Sequence, residues 1–420
     1  MQISRRAFIE ETVGATGLVA FGSSIPAFLV RSSAAMEAGQ RSPGTVLVVI
    51  QLSGGNDGLN TVVPYQDDAY QRSRPTLRIG PDQALKLDSG LGLHPAMAAF
   101  RKLYQDGRLS IIQGVGYPKS SRDHEAAMED WHTGVLRDQV PPGARTGWLG
   151  RAIDAACDPT KTDLRGVFVG EIKAPFSVQT ERVVVPSIKS LDAWLPTGSA
   201  WSDASLPRDS GPPSATGSPS LLGSLRTAAA DARLVRRRLI AANQALHTDR
   251  SSDYPPFTLA QNLGTIAQLI RADLGIRIYF AEMGGGGIGG FDTHANQAAN
   301  HGALLRELAE SILAFVEDLN RDRLLDSVLV MTFSEFGRTL AENGRRGTDH
   351  GAAAPMFMIG GKVKGGLWGA HPSLTDIEAD SLKVHTDFRR VYATVLERWL
   401  GLKSEKVLAP GFAPLDGVLA

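Results

Sequence analysis

Residues 46–60, with the sequence VLVVIQLSGGNDGLN, decide the fold class of this chain. The stretch Val46–Leu52 is rich in β-branched residues and lacks polar alternation, which is typical of a strand buried on both faces of a sheet. The turn that follows, Ser53–Asn60, places polar side chains at the end of that strand. Similar candidate strands follow along the chain at Ser110–Gln113, Gly166–Val169, Ile276–Ala281, Val328–Phe333 and Met356–Ile359.

Between the candidate strands, apolar residues recur at the 3.6-residue spacing of a helix. One stripe comprises Leu304, Leu305, Leu308, Ile312, Phe315, Val316 and Leu319, and another comprises Phe388, Val391, Tyr392, Val395, Leu396 and Trp399. Buried strands separated by helices predict an α/β fold with a mostly parallel central sheet and helices on both of its faces.

The N-terminus has the three parts of an export signal. Ser4–Ile9, with the sequence SRRAFI, has the twin-arginine pattern, a weakly apolar stretch follows at 12–30, and small residues at 33–35 offer a cleavage site. We therefore predict an export signal at 1–35, the twin-arginine translocase as a partner, and a periplasmic or secreted location. The alternative is an uncleaved anchor, but the apolar stretch contains three glycines and a proline, so no stable membrane anchor is expected.

Residues 44–420 are predicted to form the α/β domain. A small insertion subdomain is expected at about 158–220, and it includes a loop rich in proline, serine and glycine at 196–219.

Composition excludes several classes of protein. Lysine plus arginine and aspartate plus glutamate each number 44, so the formal charge is zero, and neither nucleic-acid binding nor electrostatic membrane binding is expected. Cys157 is the only cysteine, which excludes an intramolecular disulfide and a cysteine-based zinc site.

Acidic and histidine side chains lie near one end of each strong strand. Asp57 follows the first strand, Asp292 and His294 follow the strand at 276–281, Glu335 follows the strand at 328–333, and His350 precedes the strand at 356–359. Ligands of parallel sheets bind beyond the carboxyl ends of the strands, so these residues predict a divalent metal site. Taken singly, each except Glu335 is also compatible with a turn, a helix cap or a surface loop.

A fifth segment, Tyr117–Gly134, follows the strand at 110–113 and predicts a helix that begins near His124. A helix N-terminus favours anions, so Asp123 or the upstream Ser121 is a candidate nucleophile. An ordinary capped helix is the alternative.

Together these motifs resemble the domain of unknown function 1501 family, within the alkaline phosphatase and sulfatase superfamily. The resemblance extends from about Thr45 to Leu400. It is carried by Leu52–Asn60, His124–Gly134, Gly290–His294, Thr332–Thr339, Gly347–Gly351 and His385–Phe388.

The resemblance implies an alkaline phosphatase-like sheet that holds one or two divalent metals, with zinc first and manganese, iron or calcium as other choices. The implied metal ligands are Asp57, Asp292, His294, Glu335 and His350. His124 and Arg338 are implied contacts for a substrate anion.

The chain departs from the superfamily pattern at three places. Asp123 stands where an alcohol nucleophile is expected, and Phe336 stands where a metal-binding histidine is expected. Asp292 and His294 are two residues apart rather than the usual four.

The first functional hypothesis is an exported metal-dependent hydrolase that acts on a small anionic phosphate or sulfate ester, through a side chain or a metal-activated water. The second is a catalytically inactive binding or scaffold protein of the cell envelope. A third, a cofactor-binding module at the glycine run 283–287, lacks a dinucleotide fingerprint.

Overall fold

A computed structural model of the chain describes residues 44–139, 146–156, 166–170, 174–181, 185–189, 253–273, 275–284 and 290–420. The predicted export signal and the predicted loop at 196–219 lie outside the described residues. Cys157 and most of the glycine run at 283–287 lie outside them as well.

The described elements alternate between strands and helices. The strands are β1 (Val46–Leu52), β2 (Val62–Val63), β3 (Leu85–Lys86), β4 (Gly92–Leu93), β5 (Leu109–Gly116), β6 (Gly166–Val169), β7 (Ser187–Ile188), β8 (Ile278–Met283), β9 (Val328–Phe333), β10 (Ala354–Gly360), β11 (Gly366–Trp368), β12 (Ile377–Glu378), β13 (Ser381–Leu382) and β14 (Thr386–Asp387). The α-helices are α1 (Gly58–Thr61), α2 (Asp68–Ser73), α3 (Ala98–Gln105), α4 (His124–Thr133), α5 (Trp148–Ala156), α6 (Thr258–Arg271), α7 (Gln297–Arg321) and α8 (Phe388–Thr394), and a π-helical turn at Val395–Trp399 continues α8.

The central sheet has the strand order β11-β5-β10-β9-β1-β8-β6-β7, and β14 pairs with β5. Strand β1 lies parallel to both of its neighbours, β8 and β9. Strand β10 runs antiparallel to β9 and β5, whereas β6, β7, β11 and β14 pair in parallel. The predicted α/β fold with a mostly parallel central sheet is therefore confirmed.

Strand β1 shows why helices cover both faces of the sheet. All seven of its residues are buried, and alternate side chains enter two separate hydrophobic clusters. Val48 and Ile50 pack in the cluster that includes helices α3, α6 and α7, whereas Leu47 and Val49 pack in the cluster with α4, α5 and α8. Full burial of one such side chain contributes about 1.5–3 kcal/mol, so the strand stabilises both layers at once.

The described strands of the predicted insertion at 158–220 belong to the central sheet. Strand β6 pairs in parallel with β8, and β7 pairs in parallel with β6. These two strands are therefore part of the central sheet, whereas the insertion predicted at about 158–220 stays a prediction. A short buried run such as β6 carries no signal that distinguishes a sheet edge from an inserted strand.

Helix α4 begins and ends where its sequence predicts. The Asp123 side chain accepts a hydrogen bond from the backbone N–H of Ala126, which caps the N-terminus. Gly134 ends the helix with a φ of 66°, a left-handed conformation that glycine adopts without steric cost. The cap fixes His124 as the first helical residue, at the edge of the sheet.

A buried ion pair fixes the loop after β1. The Arg74 guanidinium lies 2.5 Å from the Asp57 carboxylate, and both side chains are fully buried. Arg74 also donates to the carbonyls of Thr339 and Leu340, which join the β9–β10 loop to this pair. Although burial raises the pKa of Asp57, Arg74 outweighs burial and holds that pKa below its usual value.

Replacing Arg74 with methionine is expected to lower the free energy of unfolding by about 3–5 kcal/mol, because Asp57 then keeps a buried charge without a partner. Denaturant unfolding measures the change. Arg72→Met is the matched control, since its ion pair with Asp68 is exposed, and a loss within about 0.5 kcal/mol is expected there. Equal losses in the two variants would contradict a special role for the buried pair.

No helix among the described residues is both long enough and apolar enough to cross a membrane.

Candidate metal centre

The loops after β1, β8 and β9 meet at one edge of the central sheet. The register aligns Leu52 of β1 with Met283 of β8, and Gln51 of β1 with Phe333 of β9, so the three strands end at the same level. Because β10 is antiparallel, the residues just before it, including His350, lie at that same edge. This topology collects acidic and histidine side chains from distant parts of the sequence.

Asp292, His294 and His350 form a closed triangle of ligand atoms. The Nε2 atom of His294 lies 3.0 Å from Asp292 Oδ1 and 2.9 Å from His350 Nε2. The Nε2 atom of His350 lies 3.2 Å from Asp292 Oδ1. The structure thus brings together three of the five predicted metal ligands.

Both histidines of this triangle direct Nδ1 at an acceptor. His294 Nδ1 lies 3.0 Å from the Asp349 carboxylate, and His350 Nδ1 lies 2.6 Å from the carbonyl oxygen of Arg122. The carboxylate and the carbonyl oxygen accept a hydrogen bond only if Nδ1 carries a proton. Each ring, when it is neutral, therefore presents the lone pair of Nε2 to the triangle. Burial lowers the pKa of His350, which favours its neutral form.

His124 approaches the same point from the N-terminus of α4. Its Nε2 atom lies 3.5 Å from Asp292 Oδ1, and its Nδ1 atom lies 2.9 Å from Glu335 Oε1. The hydrogen bond with Glu335 raises the pKa of His124. His124, Asp292 and His350 each offer a ligand atom within 4.8 Å of the others. We call His124, Asp292, His294 and His350 the histidine–aspartate cluster.

Glu335 supports the cluster from behind. It is 2% exposed, and its Oε1 atom accepts hydrogen bonds from His124 Nδ1 and from the backbone N–H of Gly54, at 2.9 and 2.8 Å. Its other oxygen lies 3.2 Å from the Ser334 hydroxyl oxygen. Glu335 therefore orients His124, and its predicted role as a direct metal ligand stays a prediction.

Arg338 is buried beneath Asp292. Its guanidinium donates to Asp292 Oδ1 at 2.7 Å, and to the carbonyl oxygens of Gly54, Gly55, Phe291 and Thr348. Burial raises the pKa of Asp292, but its interactions with Arg338, His350 and His294 together outweigh burial and lower that pKa to about 2.

The Arg338 side chain is fully buried, and its N–H groups are directed at protein acceptors. Arg338 therefore binds groups inside the protein, and its predicted contact with a substrate anion stays a prediction. Its position next to glycine carbonyls could not be predicted from the sequence, because these acceptors lie on the backbone.

Phe336 fills the space behind two of the histidine rings. Its ring is fully buried, with its centroid 4.4 Å from that of His350 and 5.0 Å from that of His124. A phenyl ring supplies no metal ligand, so this position supports the rings of the cluster by packing alone.

Three further predicted site residues take structural roles. Asp57 is held by Arg74, by the Gln297 amide at 2.5 Å and by two backbone N–H groups of α1, so its carboxylate is saturated away from the cluster. The carboxylate of Asp123 caps α4, and the Ser121 hydroxyl accepts from the backbone N–H of Asp123. The structure thus gives none of the three a contact with the cluster.

The donor set fits a divalent cation. In a tetrahedral zinc site with bonds of 2.0–2.1 Å, neighbouring ligand atoms are about 3.3–3.4 Å apart. The distances of 2.9, 3.0 and 3.2 Å within the triangle, and of 3.5 Å from His124 to Asp292, bracket that value. Each histidine also donates from its other nitrogen to a carboxylate or carbonyl, as metal-ligating histidines do.

Asp349 and Gly54 are site residues that sequence reasoning missed. Asp349 precedes His350 directly and orients His294, so its place beside a predicted ligand was a usable signal. Gly54 has a φ of +116°, and a Cβ atom there would lie 2.4 Å from the backbone nitrogen of Asp292. The glycine is thus required for the close approach of the two loops.

The variants Asp57→Asn and Asp292→Asn are expected to separate structure from metal binding. Asp57→Asn should lower the melting temperature and leave the metal content unchanged, because Asp57 is an internal partner of Arg74. Asp292→Asn should abolish metal binding while the chain stays folded, since its side chain is 46% exposed. Elemental analysis and thermal unfolding measure both effects. Loss of metal from folded Asp57→Asn protein would return Asp57 to the ligand set.

Several solved structures resemble this chain in backbone. The lipoteichoic acid synthase LtaP from Listeria monocytogenes matches with 10% identity and a TM-score of 0.40, over 89% of this chain and 75% of its own. The PsFucS1 sulfatase from Pseudoalteromonas sp. matches with 12% identity and a TM-score of 0.40, over 94% of this chain and 75% of its own. The TAB5 alkaline phosphatase matches with 10% identity and a TM-score of 0.33, over 76% of this chain and 91% of its own. No curated protein matches the sequence.

The family comparison covers the part of the chain that supplies most of the cluster. Residues 241–411 match the model described as protein of unknown function (DUF1501). The matched segment contains Asp292, His294 and His350 together with Glu335 and Arg338, whereas His124 precedes it. The resemblance indicated by the sequence motifs is thus confirmed for residues 241–411, which are similar to the DUF1501 family.

Proposed function

We propose that this protein is an exported metal-dependent hydrolase of phosphate or sulfate esters, with the histidine–aspartate cluster as its active site. One observation carries the proposal. Three imidazole rings each donate from Nδ1 to a protein acceptor, so three Nε2 lone pairs and the Asp292 carboxylate are directed at one another. Such a group of acceptors is stable when a cation lies among them.

Asp292, His294 and His350 would hold the metal, and His124 faces them. Imidazole and carboxylate ligands suit zinc, and also manganese and iron, whereas calcium prefers an all-oxygen set. A bound divalent metal would supply a Lewis acid that neutralises the ester oxygens.

The residues around the cluster hold it open to solvent. The side chains of Asp292 and Asp349 are 46% and 58% exposed, so a small ester reaches the cluster directly. Three carboxylates, those of Asp292, Glu335 and Asp349, contact the histidines of the cluster, and the guanidinium of Arg338 pairs with Asp292. An anionic ester would therefore be repelled from the bare protein and requires the charge of the metal to bind.

The second candidate is a non-catalytic binding or scaffold protein of the cell envelope. Phe336 favours it, because this ring occupies a predicted ligand position and leaves one metal at most beside it. If His124 also ligates, four protein ligands form a closed site, which is typical of structural metals. The two candidates differ in whether the metal-loaded protein turns over an ester.

The metal-loaded protein is expected to contain about one zinc, manganese or iron ion per chain and to hydrolyse aryl esters. Elemental analysis gives the metal content. Release of nitrophenolate from p-nitrophenyl phosphate, bis(p-nitrophenyl) phosphate and p-nitrophenyl sulfate gives the activity and identifies the ester class. His350→Ala should lose both the metal and the activity, because a ligand and its lone pair are removed.

His385→Ala is the matched control, since His385 is exposed and lies outside the cluster, and both quantities should stay at the wild-type level. A folded wild-type protein that binds metal but cleaves none of the three esters would favour the scaffold candidate. A wild-type protein that takes up no metal at all would overturn both the metal site and the hydrolase.

We also propose that the twin-arginine translocase exports the chain, as the sequence Ser4–Ile9 indicates. The double variant Arg5→Lys/Arg6→Lys is expected to remain in the cytoplasm, because the translocase recognises the paired guanidinium groups. Fractionation of expressing cells measures the location, and Arg31→Lys is the control, with export expected to persist. Export of the double variant at the wild-type level would contradict this route.

A further inference from the structure

His124 differs from the other three residues of the cluster in its place in the fold. Asp292, His294 and His350 come from the loops around β8, β9 and β10, and their ligand atoms contact one another at 2.9–3.2 Å. His124 begins helix α4, and its Nε2 atom lies 3.5 Å from Asp292 Oδ1, the longest of these distances. The triangle is thus complete without His124, which approaches it from the N-terminus of α4.

The His124 ring is held in one orientation. Glu335 binds Nδ1 at 2.9 Å, and the rings of Phe336 and His350 pack against it with centroid distances of 5.0 and 4.5 Å. Glu335 is itself fixed by the backbone N–H of Gly54. The Nε2 atom therefore faces the cluster while the side chain stays 39% exposed.

The serines nearest to the cluster in sequence have their hydroxyls engaged elsewhere. Ser121 accepts from the backbone N–H of Asp123, and Ser334 is buried and donates to the carbonyl oxygen of Leu52 at 2.7 Å. His124, by contrast, lies at the N-terminus of a ten-residue helix, whose dipole favours an anionic group beside the ring.

We propose that Nε2 of His124 is the nucleophile and that the substrate is a phosphate ester, with Glu335 as its positioning residue. The proposal rests on the proposed function, because the ester must first bind at the triangle. In an imidazole ring, one nitrogen attacks while a hydrogen bond from the other nitrogen to a carboxylate holds the ring in place. His124 and Glu335 have this arrangement, which is typical of an activated nucleophile.

The reaction proceeds in two displacements. The Nε2 lone pair forms an N–P bond while the bond from phosphorus to the ester oxygen breaks, and the leaving oxygen takes a proton from water. The Nδ1 proton stays on the ring, where the Glu335 carboxylate stabilises the positive imidazolium. Water then attacks phosphorus, the N–P bond breaks, the lone pair returns to Nε2, and phosphate and a proton are released.

The decisive experiment traps the phosphorylated enzyme. Metal-loaded protein is mixed with p-nitrophenyl phosphate and quenched at high pH, where phosphohistidine survives, and peptide mass spectrometry locates the added phosphoryl group. We expect the label on His124 in the wild type. In His124→Gly we expect no label, a retained metal ion, and a rate lowered by more than about 1,000-fold. Added imidazole should restore turnover and appear as N-phosphoimidazole, which a merely structural role or a ligand role would not produce.

Two further variants complete the test. Glu335→Gln should slow the formation of the phosphohistidine by about 10–100-fold without loss of metal, because the orienting group loses its charge. His385→Ala should be labelled as the wild type is. If the wild type hydrolyses the ester without forming a phosphoenzyme, and if His124→Gly loses its metal, then His124 is a metal ligand and not the nucleophile. The proposed function stands in that case. Absence of both metal and hydrolysis in the wild type would overturn both proposals.

Discussion

The edge of the sheet depends on one buried guanidinium, that of Arg338. It donates to carbonyl oxygens in the loops after β1, β8 and β9, and to the Asp292 carboxylate. A buried guanidinium is costly unless its donors are paired, and here the pairing partners are segments that are distant in sequence. The same set of bonds therefore holds the loops together and fixes the Oδ1 atom on which the cluster converges.

The charge of Arg338 does not neutralise the site that it organises. Arg338 pairs with Asp292, whereas the carboxylates of Glu335 and Asp349 contact the imidazoles of His124 and His294. The protein thus builds an electron-rich site at its surface, which is the electrostatic preparation that a divalent cation requires. Arg338 holds the loops together and also anchors Asp292 Oδ1, the oxygen that would bind a cation. The same hydrogen bonds therefore stabilise the loops and prepare the cation site.

The sequence predicted the sheet well because burial leaves a strong local signal. The run at Val46–Leu52 has no polar alternation, and it is the central strand that feeds both cores. The edge strand at Gly166–Val169 was harder to assign, because four apolar residues do not reveal which sheet they join. The position of Asp292, His294 and His350 at one edge could also be predicted from the sequence. The carboxyl ends of parallel strands meet at one edge of a sheet, whatever the order of the strands.

The roles of individual polar residues could not be predicted in the same way, because they depend on partners far along the chain. Asp57 and Asp292 both follow a strand, yet Asp57 is saturated by Arg74 and Gln297 whereas Asp292 faces solvent. Glu335 directly follows a buried strand, and only the structure shows that its carboxylate is directed at His124. A pattern of residue types specifies which groups reach the edge, and the hydrogen-bond partners decide which of them remain available for chemistry.

Phe336 stands where a metal-binding histidine was expected, and the positions of His124 and Glu335 are consistent with this difference. Phe336 removes one nitrogen from the region behind the cluster and fills that volume with a ring that packs against two imidazoles. His124 approaches the cluster from the N-terminus of α4, and Glu335 is its hydrogen-bond partner. One oriented imidazole thus lies beside the triangle of Asp292, His294 and His350. In the proposed site, this imidazole and a cation at the triangle would both contact an ester, because Glu335 positions the imidazole and Arg338 positions the Asp292 carboxylate.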